Sequence, residues 1–166
     1  MSLDDLIVST WGTRFSGRTF PSAIGRGGLT NCKREGDGAT PIGTHRIVGM
    51  LYRPDRIEKP TGWAIPIKIG DLWSDDTNRE DYNLMVRAPY AYSHEALRRS
   101  DPLYDLILIT DWNWPHAEAG KGSAIFIHQW RKPRHPTEGC VAFHPAHLLW
   151  IAKRLKLYSR VIVTAH

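Results

Sequence analysis

Short apolar runs, separated by polar stretches rich in glycine and proline, dominate the hydrophobic pattern of this chain. The two strongest runs cover residues 104–110 and 123–128. Each predicts a buried β-strand, because it is too short for a typical helix and is bounded by turn-forming residues. Weaker strand patterns occupy residues 6–11, 18–24, 44–51, 65–69 and 160–163.

One segment has clear helical spacing. Apolar side chains recur at helical intervals through residues 145–155, and Pro145 stands early, where a helix tolerates proline. A short helical turn is predicted at residues 93–97, with Ser93 as its N-cap. Residues 71–92 are polar and aromatic without a clear period and predict a long excursion or flap.

The chain shows no internal repeat, low-complexity segment or evident linker, so we expect a single domain over residues 1–166. The predicted fold class is mostly β, a β-sandwich of mixed strands with one main helix late in the sequence. With 42% hydrophobic and 23% charged residues, the chain can bury a core and lacks the composition of a disordered protein.

The net charge and the hydropathy of the chain limit the kinds of molecule or membrane with which it is expected to associate. The net charge of +5 favours an anionic partner such as nucleic acid, anionic lipid or an acidic cell-wall polymer. No apolar run approaches the roughly 20 residues of a membrane span. The first residues include Asp4 and Asp5, where a signal peptide is basic, so no signal peptide is visible. A cytoplasmic chain and a chain whose leader has been removed both fit this start.

Most of the chemical information lies around Cys140. An apolar strand ends at His128, a basic loop rich in proline follows, and Gly139-Cys140 precedes a turn into the next apolar run and the helix. Glycine before a thiol allows close approach of a substrate, and backbone N–H groups at such a turn can point at an oxyanion. A nearby imidazole can deprotonate the thiol. This pattern predicts Cys140 as a nucleophile and His128 as its base.

Three ordered motifs resemble a known family. Thr137-Glu138-Gly139-Cys140 resembles the Ser/Thr-x-Gly-Cys signature of L,D-transpeptidases with a YkuD-type catalytic domain. Residues 35–43 look like the Gly-x-x-Thr-Pro-x-Gly turn of that family, and residues 122–128 are similar to a run in a small bacterial branch. The resemblance covers roughly residues 6–163, and it implies that the mostly-β fold places its main helix after the catalytic cysteine.

Departures from the family pattern lie at positions that surround the nucleophile and base. Glu138 stands where histidine is commonest, Gln129 where glycine, serine or threonine is usual, and Ala142 where arginine or asparagine is frequent. The loop from His128 to Cys140 is also short for the family. We therefore expect the same chemistry with a different donor or acceptor geometry.

The resemblance implies peptidoglycan cross-linking without a metal or organic cofactor. Cys140 would attack a stem-peptide carbonyl beside diaminopimelate, and the thioester would pass to an amine of a second stem, giving 3-3 or, in this branch, 1-3 cross-links. Water as acceptor would make the protein an L,D-carboxypeptidase. The expected partners are donor and acceptor stems, bound by a monomer in the periplasm or cell envelope, with no nucleic acid and no membrane span. The expected substrate-binding residues are Trp130, Arg131, Arg134, Thr137 and Glu138, with Lys132 as a further basic group.

Several alternatives stay open at the level of sequence. A buried cysteine after glycine is often inert, and Cys140, His144 and His147 with His128 or His135 could be zinc ligands, although the spacing is unusual. The basic loop with Trp130 would also suit a nucleic-acid or cell-wall binding module without catalysis. Cys32 has no signature around it and is assigned a structural or incidental role.

Overall fold

The computed structural model of the chain describes residues 2–166, and most of its regular structure is β. The strands are β1 (Leu6–Ser9), β2 (Gly12–Phe15), β3 (Arg18–Phe20), β4 (Ser22–Ala23), β5 (Leu29–Thr30), β6 (Thr40–Pro41), β7 (Gly43–Tyr52), β8 (Ile65–Pro66), β9 (Asp71–Ser74), β10 (Met85–Arg87), β11 (His94–Ala96), β12 (Leu106–Thr110), β13 (Phe126–Gln129), β14 (Val141–Phe143) and β15 (Arg160–Val163), with helix α1 (Pro145–Ala152) before the last strand. The predicted mostly-β class with one main helix after Cys140 is confirmed.

Ten strands form one mixed sheet, in the order β3-β2-β1-β15-β7-β12-β13-β14-β4, with β8 beside β7. Three of its pairs are parallel, namely β1 with β15, β7 with β8, and β13 with β14. The parallel register of β13 and β14 sets Ile127 opposite Val141 and His128 opposite Ala142. Cys140, directly before β14, is thereby brought beside the first residue of β13.

The centre of the sheet is the most apolar part of the molecule. Every residue of β12 is buried, as the run at residues 104–110 predicted, and Leu106 and Leu108 join Met50 and Ile127 in the main core. Burying one such side chain contributes roughly 1.5–3 kcal/mol relative to leaving it in water. Strands β12 and β13, which lead to the candidate site, are therefore held by the most apolar part of the sheet.

Helix α1 packs on this core through Leu148, Ile151 and Ala152. It begins after His144, whose ring Nδ1 accepts a hydrogen bond of 3.1 Å from the backbone N–H of Ala146. Pro145 stands in the first turn, where its missing N–H costs nothing. The predicted helix is confirmed, although it ends at Ala152 rather than at residue 155. The apolar run directly after Cys140 forms the short strand β14, which precedes the helix.

Residues 71–104, which we call the flap, contain the largest difference from prediction. Residues 71–92 hold two strands instead of an irregular excursion, and β9 pairs antiparallel with both β10 and β11 in a three-stranded sheet. The predicted helical turn at residues 93–97 is wrong, because His94–Ala96 is the strand β11. Ser93 caps no helix, and its hydroxyl donates a hydrogen bond to Asp75.

Two further strands differ in extent from their predictions. The segment at residues 18–24 divides at Pro21 into β3 and β4, which pair with β2 and β14 respectively. The segment at residues 65–69 forms only the two-residue strand β8. Across residues 2–166, no helix combines the length and the apolar character that a membrane crossing requires.

Candidate active site

A cavity of roughly 680 Å³ opens where the end of β13, the loop before β14 and the flap meet. Cys140, His128, Trp130, Arg131, Thr137 and Glu138 all line it. We call residues 124–128 and 137–140 the nucleophile wall of this cavity. The opposite side is formed by flap residues that include Glu95, Arg99 and Tyr104.

The thiol of Cys140 is enclosed by backbone of the neighbouring strand. Its Sγ donates to the carbonyl of Ala124 at 3.1 Å and accepts from the N–H of Phe126 at 3.4 Å. Only 9% of the residue is exposed, and burial raises the pKa of the Cys140 thiol to about 12. The charge of Glu95 raises the same pKa, whereas the Phe126 N–H and the charge of Lys33 lower it. The Cys140 side chain at rest is therefore a neutral thiol.

The imidazole of His128 is also buried and neutral. Its Nδ1 lies 2.6 Å from the backbone carbonyl of Gln129, and because a carbonyl only accepts, Nδ1 carries the proton and Nε2 is left free as a base. Burial lowers the pKa of His128 to about 4 from its ordinary 6.5; the Gln129 hydrogen bond raises that pKa, while the charge of Arg99 lowers it further. The group that orients the imidazole is thus a backbone carbonyl.

The two predicted catalytic groups lie on one wall, but each has its own backbone partners at rest. Within residues 2–166, the hydrogen bonds of the Cys140 thiol go to Ala124 and Phe126, and that of the His128 ring goes to Gln129. Catalytic hydrogen bonds are often loose without substrate and tighten when substrate binds. The structure thus places both side chains at one cavity, each with its own backbone partner.

Gly139 holds the backbone before the nucleophile in a conformation that only glycine adopts easily. Its φ is +135°, and a Cβ there would lie 2.9 Å from the carbonyl oxygen of Ala39. The Gly139 carbonyl accepts from the Thr40 hydroxyl at 2.8 Å, and the Gly139 N–H donates to Thr137 Oγ1 at 3.1 Å. Thr137 Oγ1 donates in turn to the carbonyl of Cys140 at 2.5 Å. The predicted Thr-Pro turn at residues 35–43 therefore braces Gly139, the residue before Cys140.

The other predicted substrate-binding residues are placed differently from one another. Trp130 is buried and packs edge-on against His144, with ring centroids 6.1 Å apart. Arg131 is exposed at the cavity. Glu138 forms an exposed ion pair with Arg26 at 2.8 Å. Arg134 and Lys132 belong to the same loop but lie outside the cavity lining.

Four polar residues at or behind the cavity were not predicted from the sequence: Glu95, Tyr104, Asn83 and Lys33. Glu95 accepts a 2.7 Å hydrogen bond from Tyr104, and the Tyr104 ring lies edge-on to the His128 ring at 5.4 Å. Asn83 Oδ1 accepts from the N–H of Ala124 at 2.8 Å and so helps to fix the residue whose carbonyl accepts the hydrogen bond of the thiol. Lys33 lines the cavity with its side chain only 3% exposed. No spacing in the sequence joins these residues, since strand pairing across the flap and the turn before β6 brings them together.

The remaining candidate residues lie outside this arrangement. Among residues 2–166, no three His, Cys, Asp or Glu side chains are grouped as metal ligands, so Cys140, His144 and His147 form no zinc centre there. His144 caps α1, and His147 packs against Phe20. Cys32 is exposed, and both cysteines are free thiols.

One comparison with known proteins gives a match that covers most of the chain. A family model described as the YkuD L,D-transpeptidase catalytic domain matches residues 12–163, nearly the whole chain. The match contains the brace at residues 35–43, both walls of the cavity and helix α1. No curated protein and no solved structure gave a match.

Proposed function

Because the chain belongs to the family of YkuD-type L,D-transpeptidase catalytic domains, we propose that it is a peptidoglycan L,D-transpeptidase with Cys140 as nucleophile and His128 as base. The observation that supports this most is the placement of both side chains on one wall of the cavity. Adjacent parallel strands hold them there, and His128 Nε2 is free to accept a proton. The substrate would be a stem peptide with diaminopimelate.

In the first half-reaction the Cys140 sulfur attacks the carbonyl carbon beside diaminopimelate, and the thiol proton passes to His128 Nε2. The tetrahedral intermediate collapses when the C–N bond to the terminal D-residue breaks, and the leaving nitrogen takes the proton from Nε2. The product is a thioester on Cys140 and a free D-residue.

In the second half-reaction an amine of another stem attacks the thioester carbonyl and gives its proton to Nε2. The C–S bond breaks, the sulfur recovers the proton from Nε2, and the new amide is a 3-3 cross-link. A 1-3 cross-link would instead require the first half-reaction to take place at the carbonyl of the first stem residue, with the rest of the stem as leaving group. The backbone N–H of Cys140 is the candidate donor to the oxyanion in both steps, since that of Gly139 already donates to Thr137. Arg131, exposed at the cavity, is the basic residue best placed to bind a substrate carboxylate.

The substrate places the reaction in the cell envelope, where peptidoglycan lies. We therefore assign the protein to the periplasm or cell envelope. Export of the intact gene product, followed by fractionation, tests this assignment independently of activity.

Mass spectrometry of the protein with peptidoglycan fragments that carry tetrapeptide stems tests the activity, with Cys140→Ala and Cys32→Ala in parallel. Cross-linked dimers, or an acyl adduct on Cys140, are expected for the parent and for Cys32→Ala and are expected to vanish in Cys140→Ala. Shortened stems without dimers would instead identify an L,D-carboxypeptidase. Dimers from Cys140→Ala at the parent rate would contradict the nucleophile assignment.

A further inference from the structure

Lys33 is a buried cation behind the nucleophile wall. Its Nζ donates to Asp37 Oδ1 at 2.5 Å and to the carbonyl of Arg34 at 3.0 Å. Burying an ammonium group away from water is costly unless it is paired and hydrogen-bonded, and the fold supplies both kinds of partner here. A lysine whose ammonium group is exposed to water would need neither the ion pair nor the hydrogen bond.

The Lys33 side chain runs along two glycines that flank the thiol environment. A Cβ on Gly122 would lie 3.0 Å from Lys33 Cε, and a Cβ on Gly139 would lie 3.6 Å from Lys33 Nζ. Both glycines have positive φ, at +101° and +135°. Both glycines therefore leave room for this side chain, and its ammonium group lies near Gly139, the residue that precedes Cys140.

Asp37 fixes the ammonium group in this place. Its Oδ2 accepts from the N–H of Arg34 at 2.8 Å, and its Oδ1 accepts from the N–H of Ala39 at 2.9 Å. The Ala39 carbonyl in turn lies against Gly139. The ion pair and the brace of the nucleophile are therefore one connected unit.

The other cations at the cavity are less suited to act on Cys140. Arg99 is paired with Asp101 at 2.6 Å, and Arg131 is exposed on the loop between His128 and Cys140. His128 is neutral, and Ala142, two residues after the nucleophile, carries no charge. The charge of Glu95 raises the pKa of Cys140 and so disfavours its thiolate, whereas Lys33 is the charged side chain that lowers this pKa and favours the thiolate.

We propose that Lys33 is a positioning residue for acyl transfer, whose buried ammonium group stabilises negative charge on the Cys140 sulfur and on the oxyanion beside Gly139. This inference rests on the proposed function for the transfer step, while its effect on the sulfur is independent of any substrate. Charge preorganised in a poorly hydrated site acts more strongly than the same charge in water.

Alkylation by iodoacetamide tests the effect on sulfur, because only the thiolate reacts. The full chain is compared with Lys33→Gln, which keeps polar contacts without the charge, with Lys33→Arg, and with the exposed Lys59→Gln as control. The rate is followed at the Cys140 peptide by mass spectrometry between pH 7 and 9. Since the rate below the thiol pKa is proportional to the thiolate fraction, we expect Lys33→Gln to slow it about tenfold. Lys33→Arg is expected within about threefold of the parent, and Lys59→Gln unchanged.

A general loosening of the fold would expose the thiol and speed alkylation, so a slower rate is specific to lost charge. An unchanged or faster rate in folded Lys33→Gln overturns the proposal. If that variant does not fold, Asp37→Asn decides, since it leaves the ammonium without its carboxylate and is expected to speed alkylation at least about threefold while the amides of Phe126 and Val141 keep the parent rate of hydrogen exchange. A faster rate accompanied by faster exchange would reflect loosening and overturns the proposal. A slower or unchanged rate in folded Asp37→Asn also overturns it. Cross-linking assays on the same proteins distinguish failure of this proposal from failure of the proposed function. If Lys33→Gln slows alkylation but the parent protein transfers no acyl group, the effect of Lys33 on the sulfur stands and the transpeptidase assignment is refuted.

Discussion

The nucleophile wall and the flap face each other across the cavity, but they are held by different kinds of contact. On the nucleophile wall, Cys140 and His128 bond to backbone groups, and Gly139 is bonded to two threonine hydroxyls. In the flap, carboxylates and hydroxyls bond to one another, as Tyr104 does to Glu95. Backbone contacts follow from the path of the chain, whereas side-chain contacts can be exchanged without moving it. The wall therefore suits fixed chemistry, and the flap suits substrate selection.

Replacing His128 by Gln is the strongest test of this division. The variant keeps a polar side chain on the wall but removes the base, so we expect kcat/KM for cross-linking to fall by about 10² to 10⁴-fold. Steady-state rates with tetrapeptide stems measure it. His116→Gln, at an exposed position away from the cavity, is the matched control and should behave like the parent. If kcat/KM fell by less than about threefold in His128→Gln, another residue would have to be the base.

Gly139→Ala tests whether the backbone itself is the active component of the wall. The new Cβ would meet the Ala39 carbonyl at 2.9 Å in a left-handed conformation, so the loop must shift. We expect activity to fall by at least about tenfold, since displacement of catalytic groups by about 1 Å is costly. Gly17→Ala is the control, because its φ is also positive, at +73°, with open space around it. That change should cost about 1 kcal/mol of stability and leave the rate unaltered. Equal rates for both variants would contradict the role of Gly139.

Burial of neutral His128 makes the wall sensitive to acid. Its folded pKa of about 4 lies below its ordinary 6.5, so between these values the unfolded chain binds more protons than the folded one. Stability is therefore full above pH 6.5 and is lost as the pH falls towards 4, by up to about 1.4 kcal/mol per pH unit. Urea unfolding from pH 4 to 7 measures this slope.

His45 provides the comparison for that slope. It is also buried, and burial lowers its pKa although the Pro41 carbonyl and Asp111 raise it, so it contributes with the same sign. We expect His128→Gln and His45→Gln each to remove part of the slope, and a double variant to remove more. A slope unchanged in His128→Gln would mean that the imidazole is solvated in the folded protein.

The nucleophile wall was also the part that the sequence predicted best. Strands β12 and β13 are continuous apolar runs, and His128, Gly139 and Cys140 lie within thirteen residues of one another, so local pattern suffices. The flap depends on β9 pairing on both sides, with β10 and with β11, across residues whose polar and aromatic pattern has no clear period. Its segment His94-Glu95-Ala96 contains good helix formers, yet the ladder with β9 overrides their propensity. Glu95 and Lys33 reach the cavity only through such tertiary pairing, which no spacing in the sequence encodes.

Tyr104→Phe sharpens the comparison from the side of the flap and has the smallest expected effect. The change removes the 2.7 Å hydrogen bond to Glu95 but keeps the ring against His128. We expect a loss of about 1 kcal/mol in stability. Burial raises the pKa of Glu95 and the Tyr104 hydroxyl lowers it, so that pKa should rise further in the variant, as carboxyl NMR titration would detect. Because the backbone of the wall is untouched, kcat should change by less than about fivefold, with Tyr158→Phe as the exposed control. A loss of kcat comparable to that of His128→Gln would show that the flap shares in the chemistry, and the division between a catalytic wall and a selecting flap would fail.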